Sequence, residues 1–456
     1  MKFNQKFLRL VLGPIFRVVT LALFLAVFGA SAALAQTKAY VTNTGNNTVS
    51  VIDTATNTVT ATIPVGAGPV GVAVTPNGAF VYVTNINGNS VSVISTATNT
   101  VIATVPVAVE PVAVAITPDG AFAYVTNAGS DNVSVIDTAT NTVVATVPVG
   151  FVPGGVAITP NGLFAYVANA SSHNISVIDT RTNTVIATIP SPVAPGFVAI
   201  TPNGTRAYVT HETSSVDVID TATNAVIATI PIGASQDGLD ITPNGAFVYV
   251  ANQEQPFPLL GNISPAESAQ VNGPSVPAGS VGQKSRSRST LHPAVAVIDT
   301  ATNTVVATVP VGATPRGVAI RPDGALVYVV NAGSQNVSVI DTTTNTVVDT
   351  IPVGPIPLFI AFQKTQSPQH QIAALIAQVE TFIARGRLTQ NQGRVLIDKL
   401  AHAITKLANN QTGVACNQLR AFINQVNALI NSGALSQAQG QSLIVAANAI
   451  KTNLGC

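Results

Sequence analysis

The sequence predicts an all-β seven-bladed β-propeller followed by a small all-α domain of four helices in two αα-hairpins. Three observations predict it. A unit of about 42 residues recurs seven times. Each unit holds four short apolar runs bounded by turn residues. After Ser367 the apolar spacing changes from two to about 3.6 residues.

Composition sets the outer limits. The 456 residues are 47% hydrophobic and only 9% charged, with a formal net charge of +1. A disordered chain would be poor in apolar residues and rich in charge, so that class is excluded. The charge balance also argues against a nucleic-acid partner. Two Cys rule out a disulfide-dense scaffold and a four-Cys zinc site.

Residues 1–35 read as a secretory signal. Lys2, Lys6, Arg9 and Arg17 give a positive start, and Val18 to Ala30 is apolar apart from Thr20. Ala33-Leu34-Ala35 offers small residues for cleavage before Gln36. The expected location is therefore secreted or periplasmic, with attachment to the cell surface as a variant. A retained anchor is the alternative, although the apolar run is short for a span of about 20 residues. Without residues 1–35 the chain has 16 Lys plus Arg against 19 Asp plus Glu, net −3. Residues 36–366 carry 9 against 17, net −8, and residues 367–456 carry 7 against 2, net +5. That asymmetry predicts two domains.

The repeat covers residues 36–366. Val-Ile-Asp-Thr ends at Thr54, Thr138, Thr180, Thr221, Thr300 and Thr342, and a degenerate Val-Ile-Ser-Thr ends at Thr96. Successive spacings are 42, 42, 42, 41, 79 and 42, the 79 being one period plus a 37-residue insertion. In the third unit the strands are expected at Ala113–Thr117, Ala121–Thr126, Val133–Asp137 and Val143–Val147. Thr117-Pro118-Asp119-Gly120 and Asp137 to Asn141 supply tight turns. Short connections make the strands antiparallel, and four strands in each of seven units make a seven-bladed propeller. Stacked blades bury both faces of each sheet, which explains a mean hydropathy of +0.42. A linear β-solenoid is the alternative, but its coils are shorter. The first copy starts at a second strand, and the last ends at a first strand, Leu358–Phe362. The first blade is therefore expected to take its innermost strand from the end of the array, sealing the ring.

Tyr40–Asn43, Tyr82–Asn85 and Tyr124–Asn127 spell Tyr-Val-Thr-Asn, with variants at Tyr166–Asn169 and Tyr208–His211. This signature resembles the YVTN (YncE-like) β-propeller repeat family over about 330 residues. The resemblance implies the propeller fold. It also implies a setting among bacterial surface-layer and secreted proteins, whose wider relatives include lactonase-type and cofactor-binding propellers.

In residues 367–456, Ile372, Leu375, Ile376, Val379 and Ile383 form one helical face, and Gly386 ends the helix. Thr389 is the expected cap of the next helix. Ile383–Gly393 is echoed at an offset of 47 by Ile430–Gly440. Two αα-hairpins follow, similar to the FIMAH-type domain of secreted bacterial proteins. Cys416 near the start of the third helix and Cys456 after the fourth become neighbours in such a hairpin. A structural disulfide is expected in an oxidising compartment.

With the strands of a blade lettered a to d from the axis outward, b–c and d–a loops share one rim. Departures from the repeat collect there. His173, His211 and Glu212 are placed in b–c loops, and the insertion 253–292, with Glu254, Lys284, Arg286, Arg288 and His292, fills the next one. Glu110, Asp237 and Arg316 belong to d–a loops, and Asp240 stands in an innermost strand. The expected ligand site is this rim and the channel mouth. His173, His211, His292 and Glu212 lack metal-ligand spacing, so no metal and no cofactor is expected. Asp240 is read either as a channel-lining carboxylate or as a partner of Arg316 or Arg321. The repeated Asp53, Asp137, Asp179, Asp220, Asp299 and Asp341 read as turn residues rather than calcium ligands. Lys284, Arg286 and Arg288 form a basic loop suited to an anionic ligand.

The functional expectation is a non-catalytic binding scaffold whose rim engages an unidentified protein, glycan or small ligand. The alternative is an exported enzyme, a lactonase-like hydrolase or cofactor-dependent oxidoreductase, with its site at the channel mouth.

Overall fold

The computed structural model describes residues 37–211, 215–233, 236–255, 292–363, 368–409 and 411–456. The signal expected over residues 1–35 lies outside them, as do Glu212 and Lys284, Arg286 and Arg288 of the insertion. So do the side chains of Glu254 and His292.

Seven four-stranded antiparallel sheets form, each in the order a-b-c-d. Blade 1 joins residues 357–362 to 38–64. Blades 2 to 7 span 69–106, 111–148, 153–190, 195–231, 236–310 and 315–352. The seam is closed as expected. Strand a of blade 1 (Pro357–Phe362) pairs with strand b (Lys38–Asn43), Tyr40 opposite Ala361. In blade 3 the strands run Pro111–Ile116, Phe122–Asn127, Asn132–Asp137 and Thr142–Pro148, within two residues of the expected bounds.

Each blade buries its faces against its neighbours, so the propeller has seven interblade cores rather than one. The core between blades 1 and 2, for example, packs Tyr40, Val49, Val51 and Ile63 against Val81, Val83 and Ile94. The turn chemistry repeats with the strands. Asp137 Oδ1 accepts from the backbone N–H of Ala139 and Thr140, and the turn closes by Asn141 N–H donating to Asp137 O. Asn57, Asn99, Asn141, Asn183, Asn224, Asn303 and Asn345 end these turns with φ between 51° and 55°, which Asn tolerates better than most residues.

In six of the seven blades a Tyr hydroxyl reaches that Asn on the next blade. Tyr82, Tyr124, Tyr166, Tyr208, Tyr249 and Tyr328 donate to Asn141, Asn183, Asn224, Asn303, Asn345 and Asn57, at 2.6–3.1 Å. The link from Tyr40 to Asn99 is not made, and both polar atoms are buried without a hydrogen-bond partner among the described residues. Its turn is the copy with Ser95 in place of Asp.

Every outer strand d carries a β-bulge. In blade 2, Val93 faces Ala103 and Ile94 faces Val101, which leaves Ile102 unpaired and half exposed. The same shift recurs in blades 1 and 3 to 7. A bulge and a terminal Pro disrupt an open edge, so these strands, uncharged except for Asp349 in blade 7, resist pairing with one another.

The C-terminal helices are α1 (Pro368–Ala384), α2 (Gln390–Ala408), α3 (Thr412–Asn431) and α4 (Gln437–Asn453). Thr389 with Gln392, and Ser436 with Gln439, form capping boxes at α2 and α4. Gly393 and Gly440 leave room for Ile383 and Ile430, where a Cβ would collide. A disulfide joins Cys416 and Cys456, with Cα atoms 6.3 Å apart.

The turn after α1 docks on blade 3, on the rim of a–b and c–d turns. Arg385 and Arg387 reach Asp137 Oδ2 at 3.1 and 3.3 Å, and the Arg385 guanidinium lies 4.1 Å from the centre of the Phe122 ring. Ala139 packs into the helical core. The equivalent Ala55, Ala97, Ala222 and Ala301 are exposed.

Candidate functional site: the channel mouth

The axis of the ring is built from strands a. Their third residues are Gly71, Ala113, Gly155, Phe197, Gly238, Gly317 and Phe359. Five are small because neighbouring backbones crowd the axis. A Cβ on Gly155 would lie 2.6 Å from Phe197 Cα. The two Phe rings occupy the space the small residues leave. Phe197 of blade 5 and Phe359 of blade 1 stand three blades apart around the ring, yet their ring centres are 5.0 Å apart. They meet across the channel and narrow it. The axial cavity that remains is about 190 Å³ and is lined by aliphatic side chains, glycines and these rings.

At the mouth on the b–c and d–a rim, blades 6 and 7 contribute a polar cluster. Arg316 Nη1 donates to Asp237 Oδ2 at 2.7 Å, and Gln253 Nε2 donates to the same oxygen at 2.7 Å. Asp237 is largely buried, while the Arg316 side chain keeps 37% of its surface exposed. The pair tethers a guanidinium at the mouth through Nη1, while Arg316 Nε is buried without a hydrogen-bond partner among the described residues.

Asp240 lies deeper on the same strand. Its Oδ1 accepts from Ile241 N–H and its Oδ2 from Ile320 N–H, both at 2.8 Å. It stitches blade 6 to strand a of blade 7. Of the guanidiniums considered for it, Arg316 contacts Asp237 and Arg321 contacts Asp323 at 2.8 Å.

His211 corrects the loop assignment. It ends strand b of blade 5 and is wholly buried. Asn43, Asn85, Asn127, Asn169 and Asn331 hold the same position elsewhere, and their amides donate to Ser50, Ser92, Ser134, Ser176 and Ser338. In blade 5 the Asn and Ser are replaced together by His211 and Asp217. His211 Nε2 lies 3.0 Å from Asp217 Oδ2, a contact too oblique for a straight hydrogen bond. Thr229 donates to Asp217 Oδ1 at 2.6 Å. Burial pushes the Asp217 carboxyl up, but His211 and Thr229 outweigh it and hold it below the usual value.

His173 is exposed, with φ 51°, in the left-handed turn position that Asn47, Asn89, Asp131 and Gln335 hold in other blades. Glu110, also exposed, has φ 57° in the loop between blades 2 and 3. The structure thus brings Asp237 and Arg316 together and leaves His173 and Glu110 in turns of other blades. Asp217, Gln253, Phe197 and Phe359 escaped the sequence reading. Each departs from the residue its repeat position usually holds, which is the signal that would have found them. Among the described residues no group of three His, Cys, Asp or Glu is placed to hold a metal.

Comparison with known proteins agrees with this architecture. The family model described as "Lactonase, 7-bladed beta-propeller" matches residues 35–190 and 184–350, and the FIMAH domain model matches residues 372–452. A PE-PGRS family protein, PE_PGRS18 of Mycobacterium tuberculosis, is 70% identical over 37 residues, a stretch that spans 8% of each chain. Among solved structures, hydrazine synthase of Kuenenia stuttgartiensis is 27% identical with TM-score 0.54, over 64% of this chain and 89% of that one. A functionally unknown protein of Desulfotomaculum acetoxidans reaches TM-score 0.57 at 17% identity, over 71% and 98%. A putative 6-phosphogluconolactonase of Bacteroides uniformis reaches 0.56 at 17%, over 72% and 99%. The last two likenesses speak for the fold alone. With more than half its length matched by that family's model and its seven blades closed into a ring, the chain belongs to the seven-bladed β-propeller lactonase family.

Proposed function

We propose that the chain is an exported, non-catalytic binding protein of the YVTN-repeat type. Its propeller would present the b–c and d–a rim of blades 5 to 7 to a protein, glycan or small ligand. The observation that carries this reading is how the polar groups near the axis are employed. Asp240 caps two backbone N–H groups, Asp217 and His211 are spent inside blade 5, and Asp237 anchors Arg316. Among the described residues of this cluster Arg316 keeps part of its side chain exposed, tethered to Asp237 beside a channel that two Phe rings narrow. A tethered guanidinium on a stiff ring suits recognition of a carboxylate or other hydrogen-bond acceptor. Export is supported by the residues read as a signal, Lys2 to Ala35.

Family membership favours a second reading, hydrolysis of a small cyclic ester at the same mouth. One preparation separates the two. Residues 36–456 are purified and assayed with 6-phosphogluconolactone and with simple γ- and δ-lactones, and bound metal is measured by elemental analysis. The binding reading expects hydrolysis at the buffer rate and near-zero metal. Turnover that falls in Arg316→Ala would replace it with the hydrolase.

A further inference from the structure

Three departures from the repeat meet on the opposite rim, where the helical domain docks. Blade 3 has Asp119 where four a–b turns have Asn, an exchange that blade 7 shares at Asp323, so Arg181 and Leu163 are the departures peculiar to this place. Blade 4 has Arg181 where five c–d turns have Ala, and Leu163 where blades 2 and 3 have Ala79 and Ala121. In so regular an array, a substitution that no strand or turn requires marks a local demand. All three line one cavity of about 370 Å³ between blades 3 and 4, and Arg385 of the helical domain forms part of its wall. That volume lies within the range of small-molecule sites, which favour domain boundaries.

The chemistry of the wall defines the ligand. Arg181 forks onto Asp179, Nε to Oδ1 at 3.1 Å and Nη2 to Oδ2 at 2.6 Å. A guanidinium has five N–H donors, so this pair leaves three. Arg385 makes a single contact to Asp137 Oδ2, an oxygen that Arg387 also reaches. Arg181, Arg385 and Arg387 stand against Asp179, Asp137 and Asp119, so the wall and its surroundings offer many donors and acceptors with little net charge. Asn161 and Asn183 add amides, and Leu163, 37% exposed, adds an apolar surface. Interleaved donors and acceptors around one aliphatic patch fit a pyranose ring, with hydroxyls at its edge and C–H groups on its face.

We propose that this interdomain cavity binds one sugar unit of a neutral glycan. The site is remote from the Arg316 mouth, and its test is independent of that reading. The full chain 36–456 is titrated with the methyl glycosides of glucose, galactose, mannose and N-acetylglucosamine, and with methyl glucuronide as the anionic counterpart of glucose. Binding is read by calorimetry and ligand-observed NMR. At least one neutral glycoside is expected to saturate the protein. Arg181→Ala should weaken it about tenfold or more, and Leu163→Ala should also weaken it. Both variants install the residue found in other copies, so the fold is retained, and thermal unfolding checks this. Arg316→Ala should bind as the wild type. The proposal is overturned if no neutral glycoside saturates, if Arg181→Ala binds equally well, or if the glucuronide outcompetes the glucoside.

Discussion

Tyr40 and Tyr124 occupy equivalent positions but do different work. Tyr124 donates to Asn183 at 2.6 Å, whereas the Tyr40 hydroxyl and Asn99 Oδ1 are buried without partners among the described residues. Removing one partner of a buried hydrogen bond costs more than removing a hydroxyl that has none. Tyr124→Phe should therefore destabilise by about 1–3 kcal/mol, and Tyr40→Phe should be neutral or stabilising. Thermal and urea unfolding of the two variants, side by side, checks this. The His211 and Asp217 pair supports a sharper test. Asp217→Ser or His211→Asn alone breaks a buried pair and should cost about 3–5 kcal/mol. The double variant restores the Asn and Ser of the other blades and should recover most of that loss. Because the folded carboxyl of Asp217 titrates below its unfolded value of about 3.8, its stabilisation is complete above that pH. It is lost as pH falls through the folded value, so acid should destabilise the wild type more than the double variant. The sequence displayed the exchange of Asn for His and of Ser for Asp, but not that the two side chains face each other inside a blade. A His beside a Glu at a strand end reads as a loop, because burial comes from the neighbouring blade.

At the scale of the strand, close approach decides more than hydrophobicity. A Cβ on Gly155 would stand 2.6 Å from the backbone of the next strand a, while one on Gly196 would meet Thr210 Oγ1 at 3.3 Å and the Thr210 carbonyl oxygen at 3.7 Å. Gly155→Ala should cost about 1–3 kcal/mol and Gly196→Ala much less, by melting temperature. Strand positions were legible because period two, turn residues and the 42-residue repeat all agree. The capping box at Ser436 was also present in sequence, as the echo of Thr389 at an offset of 47. The bulges were not legible. An extra residue in strand d changes no local pattern and follows from pairing with strand c.

Two bodies of opposite charge meet through the turn after α1 and through the flanks of α1 and α4. The repeat region bears −8 and the C-terminal region +5, and the contact places two guanidiniums on the nearly buried Asp137. Arg385→Ala combined with Arg387→Ala should release the helical domain while both folds persist. Small-angle scattering would then show a larger radius of gyration, and proteolysis would cut between residues 362 and 372 sooner. High salt should act in the same direction more weakly, since a nearly buried carboxylate is poorly screened. The charge asymmetry was visible in the sequence. The choice of blade 3 was not: Phe and Asp lie opposite each other in blades 4 and 6 as they do in blade 3, so this pair does not single it out.

The sealed seam also sets a timetable. Thr42 and Phe359, which hydrogen-bond where the ring closes, are 317 residues apart in the chain. At about 5–20 residues per second of synthesis, strand b of blade 1 waits roughly 15–65 s for its inner partner to emerge. During that interval its inner edge can pair only with the wrong strand. The last residues of the propeller are therefore the ones that end its exposure to misassembly, and a chain stopped short of residue 357 is left as an open ribbon.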